Sequence, residues 1–224
     1  MIMKRYSNKF LRGAAWLFAA VLFVTALLAL YSASVMKDLK ENIVRLHVVA
    51  DSNDEEAQAL KLKVRDSVAE YTAELLKDAN TAEESYKILQ ANIDKIQDVA
   101  RQRAEDEGCA LPVTAQVGEF DFPVKSYGNI TLPTGNYNAV RVTIGSGEGQ
   151  NWWCVLFPPL CFVDSEATAV SVSGRAQLQE NLSDEAYAVI ENVPDSGDVQ
   201  IRFKVVDFFE NIAQKARQTW TNLF

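Results

Sequence analysis

The sequence predicts an α+β fold in which a strand is followed by a helical hairpin packed on an antiparallel sheet, with a C-terminal amphipathic helix. Three observations carry that expectation. Apolar residues recur at helical spacing from Ala57 to Ala100, the period changes to two from Leu111 onward, and turn-forming segments rich in Gly and Asn separate the alternating runs. Composition divides the chain into an export segment over 1–36, an α+β domain over 37–163, a polar linker over 164–197, and a terminal strand and helix over 198–224.

The first twelve residues carry Lys4, Arg5, Lys9 and Arg12 and no acid, and Ala14 to Tyr31 then form an eighteen-residue run without a charge. A basic region, an apolar region and the small residues Ser32, Ala33 and Ser34 match an export signal whose basic flank stays in the cytoplasm. Cleaved signals have an apolar region of about 7–15 residues and spanning helices about 17–25, so a cleaved peptide and a retained anchor both stay open. A buried helix of a soluble domain would show a polar stripe, and this run is apolar on every face.

The whole chain has 22 basic and 30 acidic residues; without the four leading basic ones, 18 face 30, a net charge near −12. Nucleic acid and anionic lipid both select basic patches, so neither is expected as the main partner. Three cysteines follow the export segment: Cys109 alone, and Cys154 and Cys161 with six residues between them. An oxidising destination permits a bridge. The near pair, with Pro158 and Pro159 in its loop, is the expected one and leaves Cys109 odd, although spacing alone does not fix the pairing. That spacing suits no zinc ribbon, and the one histidine, His47, is distant in sequence, so neither a metal nor a cofactor is expected.

Ile43 to Ala50 reads as a largely buried strand. Asp51, Ser52, Asn53 and Asp54 behind it each offer an N-cap, and Ser52 with Glu55 has the spacing of a capping box, which predicts a helix with Ala57, Leu60, Val64, Val68, Tyr71 and Leu75 on its core face and Lys61, Lys63 and Glu70 pointing elsewhere. Thr81 and Glu84 repeat the spacing ahead of a second helix, whose face of Ile88, Leu89, Ile93, Ile96, Val99 and Ala100 ends before Gly108. The short connection makes the two a hairpin over one side of a sheet. Alternation at Val113, Ala115 and Val117, then at Phe120 and Phe122, then from Asn138 to Ile144, predicts strands. Turns at Tyr127–Asn129 and Pro133–Asn136 make an antiparallel meander the simplest arrangement. Gly145, Gly147 and Gly149 read as a tight turn, since no Lys-Ser or Lys-Thr follows to make a phosphate loop. Beyond Asp164 neither period is sustained, so 164–197 is expected to contribute little to the fold and to tolerate replacement by a flexible polar linker of similar length. From Asp207 a helix would place Phe208, Phe209, Ile212, Ala216, Trp220 and Phe224 on one side.

Ile43 to Asp66 reads IVRLHVVADSNDEEAQALKLKVRD, and Ser126 to Phe162 holds YGN, LPTGNY and GSGEGQNWWCVLFPPLCF. These two stretches, about half the chain, resemble the stage II sporulation protein R family of endospore-forming bacteria. The first departs from the family pattern at Asp51, where Asn is more typical. The resemblance implies a protein made in the forespore and exported into the space between two membranes. There it would activate a membrane-embedded aspartic protease of the mother cell, which removes the pro-sequence of sigma-E. It implies a signalling protein and not an enzyme.

An enzymatic alternative, an exported hydrolase acting on cell wall or peptides, would take Cys154 or Cys161 as nucleophile, His47 as base and Asp164 to orient it. His47 lies in an apolar strand, where packing is the commoner role, and a Trp-Trp-Cys run does not advertise the electropositive, exposed setting of a reactive thiol. Trp152, Trp153, Phe157 and Phe162 divide between core packing and protein contact, because large rigid rings serve both. With Tyr127, Pro158 and Pro159 they are the candidates for partner contact.

Overall fold

The computed structural model describes residues 3–161 and 172–191. Two units divide the chain: one holds the N-terminal helix as far as Lys37, and the other, from Asp38, holds the remaining described elements. Helix α1 (Met3–Asn42) contains the uncharged run, which stays bare, with Trp16 77% and Phe18 65% exposed. In length and composition it is able to cross a membrane. The residues from Ser32 to Asn42, which read as a cleavage region and polar spacer, continue the same helix because neither Gly nor Pro interrupts them.

The second unit is an α+β domain. Strand β1 (Val44–Val49) is buried at every position. Helix α2 (Glu55–Leu75) starts after Asp54, whose carboxylate accepts the Ala57 N–H at 2.8 Å. The expected Ser52–Glu55 capping box is thus displaced by two residues, and Ser52 Oγ donates to the Asp54 carboxylate instead. A carboxylate is the stronger acceptor and suits the positive helix end. The expected second helix is two, α3 (Ala82–Ala91) and α4 (Ile93–Asp106), which meet at Asn92. There the Asn92 side-chain amide donates to Ile88 O at 2.9 Å, a local bond that competes with helix continuation. Thr81 caps α3 as expected, accepting the Glu84 N–H at 3.2 Å.

Strands β2 (Val113–Phe122), β5 (Gly135–Ile144) and β6 (Asn151–Phe157) join β1 in a sheet of order β2-β5-β1-β6, while β3 (Lys125–Tyr127) and β4 (Ile130–Leu132) form a separate two-stranded hairpin. Two of the three pairings in the larger sheet are antiparallel, and β1 with β5 is parallel. The sheet is therefore no simple meander. A strand buried on both faces is best covered at a central position, and β1 takes it between β5 and β6. One face of the sheet carries the core: Val64 and Val68 of α2, Leu89 of α3, and Ile96 and Ala100 of α4 pack on Leu46, Val48, Val140, Val142 and Ile144.

Within 164–197, which reads as polar linker, the structure describes helices α5 (Val172–Asn181) and α6 (Asp184–Ile190). Leu178, Ala186 and Ile190 are fully buried. Helix α6 packs on β4, Glu191 bridges to Ile130, and the Asp38 carboxylate accepts the Ser183 N–H and hydroxyl at 2.9 and 2.6 Å. Helices this short give too few turns for a period to register. The expected terminal strand and amphipathic helix, with Phe208, Phe209 and Trp220, lie outside the described residues. Truncating Ile190 to Ala is expected to cost about 2–5 kcal/mol in chemical denaturation, the range for a buried aliphatic side chain and far above that for a linker residue.

Candidate protein interaction site

The two distinctive stretches meet where the chain passes from β5 to β6. The connection crosses the end of β1 and docks on the residues that follow it: Gly149 N–H donates to Ala50 O at 2.9 Å, Ser146 N–H to Asp51 Oδ1 at 2.6 Å, and Gln150 N–H to Asn53 Oδ1 at 2.8 Å. Two glycines are required here. Gly145 has φ +59°, and a Cβ on it would overlap the Asp51 carboxylate, while a Cβ on Gly149 would overlap Ser52 O. Asp51 works through one acceptor oxygen, which Asn also supplies, so the departure from the family pattern keeps the bond.

The sheet face away from α2, α3 and α4 holds a cationic and aromatic cluster. Arg45 is fully buried, with its guanidinium 4.1 Å from the Phe122 ring centre and 4.9 Å from that of Tyr137. Its Nη2 donates to Tyr127 Oη at 2.7 Å, and Tyr127 Oη donates to Trp153 O at 3.2 Å. Burial raises the Tyr127 phenol above its usual range and keeps that second proton in place. Next along β1, His47 stacks on Trp153 with ring centres 3.8 Å apart, and its Nε2 lies 2.7 Å from Asn151 Oδ1. With an amide oxygen as acceptor, Nε2 carries the proton. Burial, with Arg141 and Arg45 nearby, lowers the His47 pKa to about 4, so the ring is neutral at physiological pH.

Strand β6 sends its two tryptophans to opposite faces. Trp152 pairs with Val48 on the helix face, where the Arg65 guanidinium lies 4.2 Å from its ring centre; Trp153 pairs with His47 on the other. Both rings are half-buried, so neither is wholly core nor wholly presented. Cys154 and Cys161 form the expected bridge, with Cα atoms 5.2 Å apart, and Cys109 is free and half-buried. Between the β3–β4 hairpin, α2 and β6 lies a groove of about 530 Å³ that Tyr127, Trp152, Trp153 and the bridge all line.

Among the expected contact residues, Tyr127, Trp152 and Trp153 are thus brought together. Phe157 and Pro158 are buried, Pro159 is half-buried, and Phe162 lies outside the described residues. Three participants escape a reading of periodicity. Lys61, expected to point away from the core, is 5% exposed, with its ammonium 3.2 Å from Gln150 O and 2.6 Å from Gln58 Oε1. A lysine stem covers apolar surface while its head reaches a polar group, which no hydropathy scale registers. Arg45 and Asn151 gain their roles only from neighbours 82 and 104 residues away in the chain. The thiol and imidazole of the hydrolase alternative are not assembled: Cys154 is bridged on the helix face, and His47 lies on the other.

Residues 40–167, more than half of the chain, match the family described as Stage II sporulation protein R. The chain belongs to the stage II sporulation protein R family. A protein described as Stage II sporulation protein R from Bacillus subtilis (strain 168) is 36% identical over 126 residues, 56% of this chain and 56% of that protein, so the match spans about half of each. No solved structure matches the chain. In this member of the stage II sporulation protein R family, the matched region holds the whole larger sheet, helices α2 to α4, the hairpin and the cysteine bridge.

Two outcomes are expected. Between pH 6.5 and 4 the unfolded chain takes up a proton at His47 that the folded chain does not. Stability should therefore fall as pH drops through that window, by up to about 3 kcal/mol for a shift of this size, and His47→Gln should remove that part of the slope in denaturation series. Intact-mass analysis after alkylation without reductant should count one free thiol, Cys109, and reduction should lower stability by about 2–3 kcal/mol.

Proposed function

We propose that this chain is an exported sporulation signalling protein that activates a membrane-embedded aspartic protease of the mother cell, so that pro-sigma-E is processed. It acts from the intermembrane space between forespore and mother cell, either released or held by α1. Membership of the stage II sporulation protein R family supports the sporulation role. The bare apolar α1 supports export, and the Cys154–Cys161 bridge suits an oxidising compartment. One observation carries the contact reading: the start of β6, the last strand of the larger sheet among the described residues, places Trp152 and Trp153 on a groove, half-exposed, beside Tyr127. Aromatic rings so placed are the usual anchors of a protein interface.

The test reconstitutes full chain, protease and pro-sigma-E in vesicles. Cleavage that depends on the chain is expected, and cleavage by the chain alone, or none with it, would reject the proposal. Trp153→Ala should raise the concentration for half-activation about 30-fold, equivalent to about 2 kcal/mol of binding. Phe157→Ala serves as the contrast. Its side chain is 3% exposed, so it should lose about 3–5 kcal/mol of stability yet signal normally at a temperature where it is folded.

A further inference from the structure

We infer that the groove between the β3–β4 hairpin, α2 and β6 is a carboxylate-recognition site, which takes an Asp or Glu side chain of a partner protein against the ammonium of Lys61. The partner's identity rests on the proposed function; the chemistry of the site does not.

Lys61 is the first observation. It is 5% exposed, and burial, with the like charge of Arg65 nearby, lowers its pKa. A buried ammonium is ordinarily paired with an acid, because it has given up its hydration. Here the acceptors it meets are neutral, Gln58 Oε1 at 2.6 Å and Gln150 O at 3.2 Å, and no carboxylate reaches it among the described residues. Gln58 and Gln150 line the groove together with Lys61, so the ammonium stands in the groove wall. Two bonds leave the third of its N–H donors unused.

The lining of the groove is the second observation. In a chain of net charge −8 the charged residues lining it are Lys61 and Lys125, with no acid among them. Trp152, on the same wall, has a buried indole N–H without an acceptor. Surplus positive charge and a surplus donor both call for an anion. The rest of the wall says which kind. Trp152, Trp153 and Leu62, the last 37% exposed, offer apolar surface beside the lysines. Residues flanking an acid in a protein would cover that surface, whereas a phosphate headgroup would use the lysines and leave it bare. A volume of about 530 Å³ holds such a side chain with its neighbours, in a cleft of ordinary binding size.

The test uses the full chain, isotope-labelled for NMR, in nanodiscs of neutral lipid, with the blocked peptides acetyl-Leu-Glu-Leu-amide and acetyl-Leu-Gln-Leu-amide. The Glu peptide should shift the Trp152 indole signal, identified by its loss in Trp152→Phe. It should also bind about tenfold more tightly than the Gln peptide, which has the same shape and no charge. Lys61→Met keeps the apolar stem and removes the ammonium, so it should bind the two peptides equally. Thermal unfolding of each variant is read alongside, and Lys125→Gln, at a half-buried position of the hairpin, takes over if Lys61→Met fails to fold. No binding of the Glu peptide, equal binding of the Gln peptide by the unaltered chain, or a preference for Glu untouched by either lysine variant would overturn the inference. So would lysine-dependent capture by phosphatidylglycerol vesicles in place of peptide binding. Protease activation that survives the folded lysine variants unchanged would overturn it too, while leaving the proposed function standing. Selective binding of the Glu peptide by a chain that activates no protease would do the reverse.

Discussion

Because β5 runs parallel to β1 while β6 lies antiparallel on its other side, the chain must cross the end of β1 in the six residues from Gly145 to Gln150. That crossing brings backbone against backbone, and it fixes the residues that can stand there. Gly145 has a left-handed φ of +59°, which would cost a side-chain-bearing residue about 1–3 kcal/mol, and at Gly149 no room remains for a Cβ. The hydrogen bonds from the crossing to Ala50, Asp51 and Asn53 then set where α2 begins and where β6 starts. Register at β6 follows, and with it the assignment of Trp152 to one face and Trp153 to the other.

The two faces of β1 divide the labour of the domain. Val44, Leu46 and Val48 join an ordinary aliphatic core under three helices, whereas Arg45 and His47 enter a layer of aromatic rings. Burying a guanidinium is costly without partners, and here its stabilisation comes from ring faces and one hydroxyl. That hydroxyl belongs to Tyr127, so the same contact anchors the β3–β4 hairpin to the edge strand. Packing and presentation are therefore coupled: the cluster that stabilises this face also holds the groove in shape.

Much of the fold is legible in the residues. The helical stripe of Val64 and Val68, the alternation through β2 and β5, the Thr81 cap and the apolar N-terminal helix all follow from local period and local hydrogen bonding. The break at Asn92 and helices α5 and α6 were hidden because each depends on a choice between nearby bonds, or on helices too short to show a period, whereas Asp54 stood among the four caps that the residues offered. Of the site, the aromatic run and the cysteine pair stand out in composition; Lys61, Arg45 and Asn151 do not, since their partners lie far along the chain.

The sequence by itself determined what local chemistry can determine: an apolar N-terminal helix, an α+β domain, an oxidisable cysteine pair and two stretches distinctive enough to place the family. Tertiary structure alone decided which strand lies beside which, and so which tryptophan meets His47 and which meets Arg65. The reason is that side-chain alternation records only which face a residue occupies. Strand order is set by the burial of both faces and both edges of β1 together, a condition met only when residues 44–49, 135–144 and 151–157 are assembled at once.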